Sequence, residues 1–206
     1  KSYYLSGGYV GEKTMLKAVM FSGHEKTYQA WYGVPVRYLD SSDTGLRTHN
    51  PYRYENEVDN YDQTHYQIHF VRRIGKYSKF NMSLHYTRGL GYYEQFRTGA
   101  ALSEYGLENV LTIAGDTITN TDLIRRRWLD NHFYGTVFSY NYNRKALNVT
   151  VGGGANQYIG GHYGEIIWAQ YASNGKIRHR YYDDEATKND VNFYAKLDYK
   201  IGDKLN

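Results

Sequence analysis

Three histidines stand where metal chemistry is conceivable. His65 and His69 share one face of an alternating stretch, and His85 falls on the same face of the next. A turn centred on Tyr77 sets His69 opposite His85, and two imidazoles at cross-strand distance can hold a metal or haem iron. No third ligand accompanies them, which favours hydrogen-bonding groups in a wet interior, so His65, His69 and His85 are weak metal candidates. A second set is aromatic: Tyr28, Trp31 and Tyr32, then Tyr92, Tyr93 and Phe96, then Tyr163 and Trp168. Rigid rings give large contact area at low entropy cost, so these eight are the candidate ligand-binding residues, expected in loops. Packing of the loops on one another, or a place at a membrane interface, would use the same residues.

Other motifs carry less. Arg125-Arg126-Arg127 has no matching basic stripe, which argues against nucleic acid and for lipopolysaccharide phosphates or solvent. Gly152-Gly153-Gly154 lacks the Gly-Lys-Ser/Thr ending of a phosphate loop and fits sheet curvature or close packing. Asp183-Asp184-Glu185 reads as a solvated loop rather than a calcium site. With no Ser-His-Asp elbow and no HExxH, the expectation is a protein that is not an enzyme and needs no cofactor.

The elements that must position these groups are strands. Thr64, Tyr66, Ile68 and Phe70 alternate with Gln63, His65, Gln67 and His69. Phe80, Met82, Leu84 and Tyr86 then alternate with Asn81, Ser83, His85 and Thr87. A two-residue turn at Arg144-Lys145 sets Phe138 against Val151, Tyr140 against Val149 and Tyr142 against Leu147. It also pairs Ser139 with Thr150 and Asn141 with Asn148. Tyr3–Val10 and Thr14–Phe21 form a further hairpin around Gly11-Glu12, and Val191–Tyr199 a last strand. Connections alternate between short (11–12, 75–78, 144–145) and long (23–60, 90–124, 159–188). The fold class expected is all-β: a partial antiparallel transmembrane β-barrel of about seven long strands, residues 1–206 forming part of one barrel domain. A soluble aromatic-rich β-sandwich that binds carbohydrate is the alternative.

Composition agrees with either. The chain has 206 residues, 25 of them Tyr, with 21 Gly, 2 Pro and no Cys, which excludes a disulfide scaffold and a Cys-ligated metal. A net charge of +4 says little about partners. The mean hydropathy of −0.74 excludes a helical span but averages apolar strand positions with polar ones. The last residues, Lys200–Asn206, read as a strand entering a turn, and the chain is expected to be cut from a longer one.

Several stretches resemble the barrel of TonB-dependent outer-membrane receptors of the Bacteroidetes type. They are Phe21-Ser22-Gly23-His24-Glu25-Lys26-Thr27-Tyr28-Gln29-Ala30-Trp31-Tyr32-Gly33-Val34-Pro35, Glu57-Val58-Asp59-Asn60-Tyr61-Asp62-Gln63-Thr64-His65-Tyr66-Gln67, Tyr92-Tyr93-Glu94-Gln95-Phe96 and, most specifically, Leu123-Ile124-Arg125-Arg126-Arg127-Trp128-Leu129-Asp130-Asn131-His132-Phe133-Tyr134-Gly135. The resemblance implies a 22-stranded barrel filled by a plug domain that this chain lacks. It also implies a place in the Gram-negative outer membrane among lipid and lipopolysaccharide, and energy delivered by the TonB complex through the plug. The cargo would be a small molecule or metal chelate: an iron–siderophore, haem, cobalamin or an oligosaccharide.

Overall fold

A computed structural model describes residues 1–176 and 178–201. The expected strand run-out over 202–206 lies outside the described residues. Alternating side chains and tight turns produce long hairpins. β1 (Ser2–Val10) and β2 (Thr14–Tyr28) are followed by a one-turn helix α1 (Val36–Leu39), then β3 (Val58–Ile74) and β4 (Ser78–Ala101). A two-residue ribbon of β5 (Val110–Leu111) and β6 (Thr117–Ile118) precedes β7 (Asn120–Arg144), β8 (Leu147–Ala169) and β9 (Arg180–Tyr199). Seven strands make one antiparallel sheet in the order β1-β2-β3-β4-β7-β8-β9. It does not close on itself, and β1 and β9 are its two edges.

The fold is all-β as expected, with two corrections. First, the strands run well into the segments read as loops, leaving connections at 29–57, 102–119 and 170–179. The outer halves lose apolar/polar alternation, but ladder hydrogen bonds need none, and pairs such as Arg88–Asp130 hold the strands side by side there. Second, two registers differ by two residues, and the first turn likewise moves from Gly11-Glu12 to Glu12-Lys13, with Val10 facing Met15. His69 lies opposite Ser83 and His85 opposite Gln67. At the other turn, Lys145-Ala146 replaces Arg144-Lys145, so Tyr140 faces Val151, Tyr142 faces Val149 and Phe138 faces Gly153. Lys145 there adopts φ +52°, and Gly75 φ +66° in the β3–β4 turn. A slip of two residues keeps every side chain on its face, so hydrophobic matching does not detect it.

The two faces differ sharply. One lateral row reads Tyr9, Leu16, Phe70, Met82, Phe138, Gly153, Phe193 across all seven strands. The row beside it on the opposite face reads Ser6, Val19, Gln67, His85, Gly135, Asn156, Asp190. The apolar side forms a belt: Tyr66–Ile74, Ser78–Tyr86, Tyr134–Tyr142, Leu147–Ala155 and Val191–Tyr199 each fit the roughly 9–11 residues of a tilted span. Nothing among the described residues covers it; Leu5 is 68% exposed and Phe193 76%. The buried apolar cluster lies instead at the long-connection end, around Leu102, Tyr105, Leu107 and Leu123.

On the polar face, aromatic rings lie over glycines. Tyr61 covers Gly91 and Gly89 and accepts a hydrogen bond from Asn131 Nδ2 (3.1 Å). A Cβ at Gly91 would meet both that ring and the Asn60 carbonyl. Gly91→Ala should therefore cost about 1–3 kcal/mol through overpacking. Gly7→Ala, with open space around it, should stay within about 0.5 kcal/mol. Denaturation midpoints of the full-length protein give the comparison, and equal effects would refute the tight fit.

Candidate functional site

The long-connection end gathers most of the sequence-predicted aromatics, but on two faces. On the polar face, Trp31 packs edge-on to Tyr93 (5.0 Å between centroids) and Tyr52 (5.9 Å), and Tyr52 stacks with Tyr32 (5.5 Å). The strip continues across Arg127, whose guanidinium lies 5.6 Å from the rings of both Tyr93 and Tyr182. On the belt face, Tyr92, Trp128 and Tyr163 form a second row, with Trp128 at 4.7 and 5.7 Å from its neighbours. Arg126 sits 4.2 Å over Tyr92, and Arg180 3.9 Å over Tyr163. Both contacts are within cation–π range.

Expected loop positions thus become strand positions. Tyr92, Tyr93 and Phe96 are on β4, Tyr163 and Trp168 on β8, and Tyr28 ends β2; only Trp31 and Tyr32 lie in a connection. Phe96 packs on Tyr54 (6.2 Å), while Tyr28 and Trp168 stand apart from both rows, exposed.

A buried polar latch holds the 29–57 connection against the sheet. The Glu94 carboxylate, almost fully buried, accepts from Arg126 Nε (2.7 Å), Asn56 Nδ2 (2.8 Å) and Tyr54 Oη (3.2 Å). Gln29, also buried, donates its amide to the carbonyls of Val58 and Glu94 (both 2.9 Å). Glu57 takes the backbone N–H groups of Tyr54 and Phe96 (both 3.2 Å). Buried polar atoms are thereby paired, as burial demands. None of Gln29, Glu57 or Glu94 stands out in sequence, because each is defined by a strand-to-connection contact.

Phenols dominate the local titration. Burial raises the Tyr181 hydroxyl to about 12, against the lowering pull of Arg125 and Arg127. Tyr93 is raised by burial, with Arg127 again opposing. Tyr54 is raised by burial and by the neighbouring Glu94 carboxylate. Burial, then Glu25, raises the Asp59 carboxyl. The phenols therefore remain hydrogen-bond donors at neutral pH.

The histidines find partners other than one another. His65 Nδ1 shares a hydrogen bond with Thr87 Oγ1 (2.9 Å) and stacks on Phe21 (4.3 Å). His69 bonds Ser83 (2.9 Å) and Gln67 (3.3 Å), and His85 donates to Asn156 Oδ1 (2.9 Å). Among the described residues no three His, Asp or Glu gather as a metal site. Asp183-Asp184-Glu185 lies on β9 rather than in a loop, Asp183 paired with Arg180 (2.6 Å). The glycine triplet lies on β8 beneath aromatic side chains: Phe193 over Gly153, and the Tyr194 hydroxyl 2.7 Å from a Cβ at Gly152.

No protein family, curated protein or solved structure matches this chain. What the site can do therefore rests on its own chemistry. It offers rings on both faces and guanidinium groups among them. That suits binding of a ring-bearing or anionic ligand.

Proposed function

We propose that this sheet is an arc of an outer-membrane receptor barrel that binds a scarce nutrient at its long-connection end and imports it with TonB-delivered energy. The nutrient is an iron–siderophore, haem, cobalamin or a similar small molecule. The observation carrying this reading is the apolar row that crosses all seven strands on a face without a second layer, opposite a polar, glycine-rich face. A barrel in lipid places apolar side chains outward and polar ones in its lumen. Short turns at Glu12-Lys13, Gly75–Tyr77 and Lys145-Ala146 at one end, with the connections 29–57, 102–119 and 170–179 at the other, support the same orientation. Two open edges in lipid would leave unpaired backbone groups costing several kcal/mol each, so further strands must complete the sheet.

The alternative, a carbohydrate-binding sandwich, draws on the Tyr92–Trp128–Tyr163 row, whose rings can stack on sugars. One experiment separates the two. These 206 residues contain no Cys, so in a protein otherwise freed of Cys fluorophores can be attached singly at Leu84→Cys and Val151→Cys, or at Ser83→Cys and Asn156→Cys. Reconstituted in brominated lipid, the first pair should be quenched and the second should answer to aqueous quencher. Aqueous quenching at all four sites would refute the barrel. For transport, deleting the gene should impair growth on one of these nutrients, as loss of TonB does; a deletion strain growing like its parent on all of them refutes import.

A further inference from the structure

The three consecutive arginines divide between the faces of β7. Arg126 points to the belt face and is neutralised by Glu94 (2.7 Å). Arg125 and Arg127 point to the polar face, where their partners are neutral oxygens. Arg125 donates to Gln95 Oε1 (2.9 Å) and Tyr105 Oη (3.0 Å), and Arg127 Nε to Tyr182 Oη (3.1 Å). Among the described residues neither arginine has a carboxylate within ion-pair distance. Two more donors in this cluster, Arg125 Nε and the Tyr181 hydroxyl, are buried without an acceptor. The acids of this face toward the long-connection end, Glu25, Asp59 and Asp184, sit on other strands, and Asp190 and Asp198 lie farther down β9; Asp59 lies opposite Tyr93, on the far side of that ring from Arg127.

Donors therefore outnumber acceptors, and positive charge outnumbers negative, where the ring strip crosses β7. Alternate residues on a strand are about 6.6 Å apart, which puts both guanidinium groups within reach of one small ligand. Charge held away from bulk water is costly unless matched. Rings of Trp31, Tyr93 and Tyr182 flank the pair on the same face.

We propose that Arg127, reinforced by the charge of Arg125, selects a small anionic ligand with planar rings, which stacks on Tyr93, Tyr182 and Trp31. This rests on the receptor reading and narrows its cargo to anionic, ring-bearing molecules. Neutral oligosaccharides are thereby disfavoured. An acidic protein segment could also neutralise the arginines, but the half-buried rings of Tyr93 and Tyr182 beside them, with Trp31 exposed next to Tyr93, suit a small flat molecule.

The test uses the full-length receptor in detergent, with intrinsic fluorescence quenching as readout. The probes are trianionic ferric tris-catecholate and neutral ferric tris-acetohydroxamate. The trianion should bind saturably, about tenfold tighter than the neutral chelate, and should weaken with added salt. Arg127→Gln should weaken the trianion about tenfold and leave the neutral chelate unchanged, while Arg127→Lys should retain most of the binding. Arg144→Gln, at the opposite rim, should change nothing. Heat-modifiable gel mobility confirms that each variant folds. Equal binding of the two chelates, unaltered binding by Arg127→Gln, or no saturable binding of the trianion overturns the proposal. If anion preference fails while growth remains TonB-dependent, this inference falls and the receptor reading survives.

Discussion

Glu94→Ala is expected to destabilise the long-connection end by about 3–5 kcal/mol, the range for removing one partner of a buried ion pair. The Glu94 side chain is only 3% exposed and Arg126 only 19%, so water cannot readily replace the lost carboxylate. Asn56 and Tyr54 lose their acceptor in the same step. Glu94→Gln keeps an acceptor oxygen but removes the charge, and should cost about half as much. The effect should be local: with the latch open, residues 29–57 detach while the belt holds the strands, so proteolysis of that segment should rise before global unfolding. Trp31 and Tyr52 leave with it, and the strip against Tyr93 disperses. In the double variant Glu94→Ala/Arg126→Ala, no charge is left stranded, and the loss should be smaller than the sum of the single losses. Additive losses would mean that the pair is not what fastens the segment.

The latch shows where sequence reading stops. Strand existence, hairpin order and the two-faced pattern follow from period-2 alternation, because a half-buried strand can satisfy it in only one way. Register is weaker information. His69 lands opposite Ser83, two residues from the pairing expected with His85, because that shift preserves apolar-to-apolar matching and the turn decides it. Strand length was hidden for a related reason. Beyond Tyr66 and Tyr86 toward the long connections, the belt face turns polar, with Thr64, Asp62, Arg88 and Asp130, so alternation fades while the ladder continues. The division of Arg125, Arg126 and Arg127 between the two faces follows from strand parity alone, since β7 begins at Asn120. The places of Gln29 and Glu57 do not, since their burial depends on contacts across the connection.

Met82→Arg should cost about 2–4 kcal/mol if the belt faces lipid, since Met82 lies mid-way along its β4 segment. Moved to Tyr86, at the belt's rim, the same charge should cost only about 0–1 kcal/mol from lipid contact. Ser83→Arg, next door but on the polar face, carries no such term. Urea-driven release from vesicles measures all three in the full-length protein. The gradient matters more than any single value. A sandwich would also penalise Arg in an apolar interface, but that cost would follow local packing and ignore the bilayer. Lipid contact makes the cost follow depth, so shorter acyl chains should move Tyr86 further from the hydrocarbon and diminish its share first. Row chemistry points the same way: Tyr66, Tyr86 and Tyr134 are consecutive neighbours along the rim, and phenols prefer the boundary between hydrocarbon and water. A cost that is flat from Met82 to Tyr86, or unchanged by lipid thickness, would transfer the belt from lipid to a protein partner.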